Sequence, residues 1–138
     1  MRIALDTNVF IYVFEEHPVW GEKAKKLLQL IESGKYEAVV SALTLTELLV
    51  KPIREGNRAL EKQYKLLFSH FPHLQMIPLD SRVAESAAYI RGIYNVKTPD
   101  AIVVASAIAA GAGQLITQDL RLQSIREISC IDLESLQI

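Results

Sequence analysis

Apolar residues follow two alternating rhythms along the chain. Short apolar runs recur at Ile3-Ala4-Leu5, Ala38-Val39-Val40, Met76-Ile77, Gln114 to Thr117 and Ile128 to Ile131, and runs of this length predict strands. The first has no polar residue within it, which suits a strand buried on both faces of a parallel sheet. Between the runs the spacing lengthens to the helical period. In Val19 to Ile31 it places Trp20, Ala24, Leu27, Leu28 and Ile31 on one face, with Gly34 as a stop signal. Ser41 to Val50 predicts a helix made largely apolar by Leu43, Leu45, Leu48, Leu49 and Val50, which Pro52 and Gly56-Asn57 are expected to interrupt. In the next helix Leu60, Tyr64, Leu67, Phe68 and Phe71 form one buried face. Ser81 to Tyr94 repeats the pattern through Val83, Ala84, Ala87, Ala88 and Ile90, with Asp80 or Ser81 as its cap. Thr98-Pro99-Asp100 then opens a nearly all-apolar, central helix with a capping hydroxyl, a first-turn proline and an acid at the positive end.

Strands alternating with helices predict a three-layer α/β/α sandwich with a central parallel sheet. There is no repeat, linker or low-complexity segment, so residues 1–138 form one domain. Ligands of such sheets gather at the carboxyl ends of the strands, near a topological switch point. A chain of 138 residues that is 50% hydrophobic and 22% charged can bury one substantial core, which excludes a disordered protein. Ala101 to Ile116 is the longest apolar stretch, but Ser106, Gly111, Gly113 and Gln114 interrupt it short of the roughly 20 residues a membrane span needs. Asp6 and Asn8 break the N-terminal apolar run too early for a signal-peptide core, and a cytoplasmic protein is expected. The single cysteine, Cys130, excludes an intrachain disulfide and is expected to be a small buried hydrophobe.

The chemistry lies in the acids. Asp6 follows the first strand and Asp119 follows the fourth, so both project from the carboxyl edge of the sheet. Each has a plain structural role open to it, Asp6 as a helix cap and Asp119 as a turn acid. Glu47 sits in LTLTELLV on a helix with little polar face, where an unpaired carboxylate is costly. Asp100 could serve only the helix dipole. Together, the four stand at the starts of central helices and the ends of central strands. Carboxylates crowded in one pocket need a cation, and hard oxygen ligands suit Mg²⁺ or Mn²⁺. His17, His70, His73 and Cys130 show no ligand pattern with these acids, which disfavours zinc.

With those residues assembled, the chain resembles the PIN-domain ribonucleases, in particular the VapC-type toxins of toxin–antitoxin pairs. DTNVFIY resembles the family's first strand and acid, SALTLTELL with the following KP its glutamate segment, TPDAIVVASAI its central helix, and LITQD its last acid. The resemblance covers essentially the whole chain in the family's order. It implies Asp6, Glu47, Asp100 and Asp119 as the metal site, with Thr7, Asn8 and Thr117 as neighbouring polar groups that orient ligands or water. It departs at Gln118, where the family commonly has asparagine. The implied activity is hydrolysis of an RNA phosphodiester, in which a bound cation activates water and stabilises the charge of an in-line displacement. The implied partners are an RNA substrate, a small antitoxin protein and a second copy of the chain in a homodimer.

A formal net charge of -1 gives no bulk attraction for RNA, so its contacts must be local. Lys97, beside Asp100, is the best single candidate, followed by Lys51 and Arg54, which begin a stripe continued by Arg58, Lys62 and Lys65. Leu49, Ile53 and Tyr64 are expected as exposed anchors for an antitoxin segment. Two other functions compete. A non-catalytic PIN-like module would bind RNA or protein without turnover, and a haloacid dehalogenase phosphatase would need an Asp where the chain has Asn8.

Overall fold

The structure is a computed structural model describing residues 1–138. Five parallel strands, β1 (Arg2–Leu5), β2 (Glu37–Ser41), β3 (Leu74–Ile77), β4 (Gln114–Ile116) and β5 (Ser129–Ile131), lie in the order β3-β2-β1-β4-β5. The chain builds one half of the sheet outward from β1, then returns to its other side. The switch point therefore lies between β1 and β4, paired through Ile3 with Gln114, Ala4 with Leu115 and Leu5 with Ile116. The α/β/α architecture and parallel sheet are as the alternating pattern predicts.

Six helices cover the faces: α1 (Thr7–Phe14), α2 (Gly21–Glu32), α3 (Ala42–Glu55), α4 (Arg58–His70), α5 (Ser81–Tyr94) and α6 (Thr98–Ala109). A 3-10 turn spans Leu120–Ser124. Strand side chains alternate between two cores, as the pleat requires. Ala4, Val39 and Leu115 face α5 and α6, whereas Ile3, Leu5, Ala38, Val40 and Ile116 face α1 to α4. On the latter side Phe10 is fully buried against Phe68, with ring centroids 5.2 Å apart, and Phe14 meets Tyr64 at 4.7 Å. These aromatic pairs lock α1 to α4 and set the direction in which α1 leaves the end of β1. No helix is long and apolar enough to cross a membrane.

Four expectations are corrected. Pro52 does not interrupt its helix: α3 runs through it to Glu55 and ends at Gly56, whose φ of 67° provides the left-handed cap. A proline one turn from the end forfeits only one backbone bond, and its buried ring contributes to packing. Thr98 does not cap α6, because the cap position falls on Lys97 and no side chain fills it. Tyr64 is buried at 3% exposure, so it is no docking anchor. Glu47 is exposed rather than desolvated, since Thr44, Leu48 and Pro52 form the inward face of α3 and Glu47 lies on its flank.

Candidate metal centre

Asp6 is the first residue beyond β1, and its N–H still donates to Ile116 O at 3.0 Å, which ties it to the neighbouring strand β4. Its side chain caps α1: Oδ1 accepts the Thr7 N–H at 2.7 Å and Oδ2 accepts the Thr117 hydroxyl at 2.6 Å. The capping role open to Asp6 is thus filled by the same carboxylate that lines the cavity. Burial drives its pKa above the usual carboxylate value, the Thr117 and Thr7 hydrogen bonds oppose that rise, and the charges of Glu47 and Asp119 add to it.

Thr117 and Thr7 organise the acids around it. The Thr117 hydroxyl, 3% exposed, donates to Asp6 and accepts the Asp119 N–H at 3.1 Å, so one side chain sets the separation of two acids. The Thr7 hydroxyl lies 2.6 Å from Glu47 Oε1 and 3.1 Å from Thr44 Oγ1. Its one proton serves the shorter contact, leaving Thr44 to donate to Thr7. Buried Thr44 is therefore a supporting residue that the sequence reading passed over, although its place three positions before Glu47 in LTLTE was a usable signal.

Asp100 lies in the first turn of α6, and its pKa is raised by burial first, then by the charges of Asp119 and Asp6, against the opposing Arg121 and Lys97. Asp119 caps the 3-10 turn through the Arg121 N–H at 3.0 Å, and it is lowered, chiefly by hydrogen bonds from the Arg121 guanidinium. That guanidinium holds both Asp119 oxygens, Nε to Oδ1 at 3.0 Å and Nη2 to Oδ2 at 2.7 Å, and its Nη2 is 4.0 Å from Asp100 Oδ2. Arg121 was also missed from the sequence; a basic residue two positions after a cap acid was its signal.

Asp6, Thr7, Asn8, Glu47, Asp100 and Asp119 line one cavity of about 350 Å³. The four acids and both N-terminal polar neighbours thus converge at the switch point, with Thr117 directly beneath. As the side chains stand, however, no three His, Cys, Asp or Glu residues close on one point at ligating distance. The donor chemistry still fits a small hard cation. All the acidic donors are oxygen, two carboxylates are held above their ordinary pKa partly by their neighbours' charge, and the lateral contact on Asp119 is an exposed arginine. Gln118 turns away from the cavity, its Oε1 accepting the Leu133 N–H at 2.7 Å. The departure at that position therefore alters the anchoring of the C-terminal segment and leaves the acids untouched. Cys130 is buried, its thiol pushed up to about 11 by burial and the Asp6 charge, as befits an inert packing residue.

The basic candidates are placed less uniformly. Lys97 is exposed at the start of α6, and its charge acts on both Asp100 and Asp119. Lys51 is paired with Glu15 at 2.8 Å, and Lys65 with Glu61 at 2.6 Å, which breaks the stripe into isolated charges. Arg54 borders a shallow concavity on α3 of about 520 Å³, lined also by Thr46, Leu49, Val50 and Ile53. Though larger than the acidic cavity, it contains no group suited to acid–base or metal chemistry.

The fold and the site together define an α/β protein with four acids gathered at the switch point of a five-stranded parallel sheet. The PIN domain family matches residues 3–128, and the chain belongs to that family. No curated protein matches it. Among solved structures, it is similar to a chain of VapBC2 from Rickettsia felis bound to a promoter DNA fragment, at TM-score 0.76 and 18% identity over 96% of this chain and 98% of that one. A toxin–antitoxin complex from Klebsiella pneumoniae gives 0.73 and 23% over 99% of each chain. DNA-bound VapBC from Salmonella typhimurium gives 0.72 and 22% over 96% and 98%.

Proposed function

We propose that this protein is a Mg²⁺- or Mn²⁺-dependent endoribonuclease and the toxin of a toxin–antitoxin pair. The observation that carries the proposal is the convergence of Asp6, Glu47, Asp100 and Asp119 on one cavity, with Asp6 and Asp100 both raised in pKa. These four residues would hold the ion, which supplies a nucleophile at neutral pH and stabilises charge on the phosphoryl oxygens. The remaining work falls to the chain. Thr117 and the Thr7 N–H fix both oxygens of Asp6, and the Thr7 hydroxyl aims Glu47. Asn8 is exposed at the cavity wall, where its amide can orient water or a phosphate oxygen. Lys97 offers a cation to the RNA backbone.

Features of the surface support the proposed protein partners. The apolar strip of Leu49, Val50 and Ile53 on α3 is a seat for an antitoxin segment, and an acidic cavity attracts a basic residue from the same segment. Solved VapBC and toxin–antitoxin complexes of the same fold support this assignment. Exposed Tyr89 and Ile93 on α5 and Leu79 just before it leave another surface for homodimer contact.

The test is cleavage of single-stranded RNA by the purified protein with and without millimolar Mg²⁺ or Mn²⁺, repeated with Asp100→Asn and with the product of the adjacent gene. Cleavage that requires metal, disappears in the variant and is titrated away by the neighbour supports the assignment. A folded protein that cuts no RNA in either metal overturns it. The second reading, a non-catalytic binding module, is favoured by one observation, that no three acids are in ligating position as they stand. It predicts RNA or protein binding without turnover in the same experiment.

A further inference from the structure

Arg121 is unusual among the cations of this chain because its partners are acids of the candidate metal centre. Asp119 Oδ1 accepts both the backbone N–H and the Nε–H of Arg121, at 3.0 Å each, and Oδ2 accepts Nη2 at 2.7 Å. A carboxylate oxygen has about two lone-pair positions in its plane, so Oδ1 is fully used and Oδ2 is half used. Asp100 Oδ2 lies 4.0 Å from the same Nη2. The guanidinium therefore bridges the two acids that α6 and the 3-10 turn bring to the cavity. It does so from outside: the Arg121 side chain is 68% exposed, against 28% for Asp100 and 22% for Asp119. A group so exposed is displaced at little cost, because water replaces its hydrogen bonds.

We infer that Arg121 is a tethered counter-cation that competes with the divalent ion for Asp119 and Asp100. Full engagement of Asp119 by the ion then involves an exchange: the guanidinium withdraws to solvent and frees the Asp119 oxygens it holds, while the backbone cap from Arg121 N–H keeps the carboxylate near the cavity. The consequence is regulatory. In metal-free protein the competitor neutralises part of the acid cluster, and it sets the metal concentration at which the site fills. Lys97 contributes charge to the same acids without a hydrogen bond to either, so it provides a natural control. The inference rests on the metal-centre reading above, and Arg121 acts on the ion through the acids, as a positioning residue.

The experiment is calorimetric titration of Mn²⁺ into the full chain and into Arg121→Gln, Arg121→Lys and Lys97→Gln variants, without substrate. The Nε–H resonance of Arg121 is followed in parallel during Mg²⁺ titration. Arg121→Gln is expected to bind Mn²⁺ about two- to fivefold more tightly, the range of an exposed ion pair. Arg121→Lys, which keeps the charge but loses the two-pronged contact, should shift in the same direction by less, and Lys97→Gln by less still. The Nε–H signal should move toward the position of a solvated arginine as Mg²⁺ is added. Unchanged or weaker binding in Arg121→Gln, or an equal gain in Lys97→Gln, overturns the competition while leaving the metal site standing. No Mn²⁺ binding by any of the proteins overturns both.

Discussion

Replacing Thr117 with valine tests the internal logic of the site without touching an acid. Valine has nearly the same shape, so the substitution removes a hydroxyl while leaving no cavity. Two hydrogen bonds are lost: the donation to Asp6 Oδ2 at 2.6 Å and the acceptance from Asp119 N–H at 3.1 Å. A bond to a charged partner contributes about 1.5–3 kcal/mol. The Asp119 amide is only part-buried and recovers some of its loss from water, so a net destabilisation of about 2 kcal/mol is expected. With an unfolding entropy of about 2.1 cal/mol/K per residue, that lowers Tm by about 7 °C for a chain of this length. Scanning calorimetry of metal-free protein at neutral pH reads the difference directly.

The pH dependence sharpens the test. Asp6 already titrates above its unfolded value, and losing a bond that favours its ionised form raises the folded pKa further. The Thr117→Val protein should therefore be penalised most where Asp6 is ionised, and the gap to the wild type should narrow as pH falls through the folded pKa of Asp6. A Tm change under about 2 °C at neutral pH, on the same entropy scale, or a gap independent of pH, would refute the Thr117–Asp6 link.

Asp6→Asn should cut metal-dependent RNA cleavage by at least about 100-fold, the order seen when a charge-stabilising group is lost, and far-UV circular dichroism should show the variant folded. Metal-free protein should lose stability as pH rises from the unfolded carboxylate value through the raised folded values of Asp6 and Asp100, with Asp119 acting oppositely below that range; urea titration across pH, with Asp6→Asn flattening the slope, checks the sign. Mn²⁺ at 100 times its Kd should stabilise the fold by about 2.7 kcal/mol, visible as a rise in Tm that Asp100→Asn diminishes. Gln118→Ala should cost about 1 kcal/mol by orphaning the Leu133 N–H, yet leave Mn²⁺ affinity unchanged in a calorimetric titration.

The architecture was legible because a short, wholly apolar run between polar flanks is a local signal of a strand buried on both faces: Ala4 and Val39 enter one core, Ile3 and Val40 the other. Asp6 and Asp119 could be placed for the same reason, as residues just past strand ends. Glu47 does line the cavity, but the desolvation argument for it is not supported, since of its apolar neighbours only Leu48 is buried and Glu47 itself is exposed. Helix faces depend on rotation angle, which a short, largely apolar segment such as LTLTELLV specifies poorly. Tyr64 failed as a surface anchor because the helical spacing that put it on the buried face of α4 was the better guide; Phe14, fifty residues earlier in the chain, packs on its ring there. Arg121 escaped notice because its significance lies in which carboxylates its fork reaches, a property of side-chain geometry rather than of pattern.

The central claim is that Asp6, Glu47, Asp100 and Asp119 form one site for a divalent cation. The most direct measurement is an anomalous difference map from crystals of the full chain equilibrated with Mn²⁺. The account predicts a peak inside the cavity bounded by α1, α3, α6 and the end of β4, with carboxylate oxygens of Asp6 and at least one of its three acidic neighbours in the coordination shell at about 2.0–2.2 Å, the spacing of a small hard ion. An empty cavity at saturating Mn²⁺, or a peak held only by residues elsewhere on the chain, would contradict it.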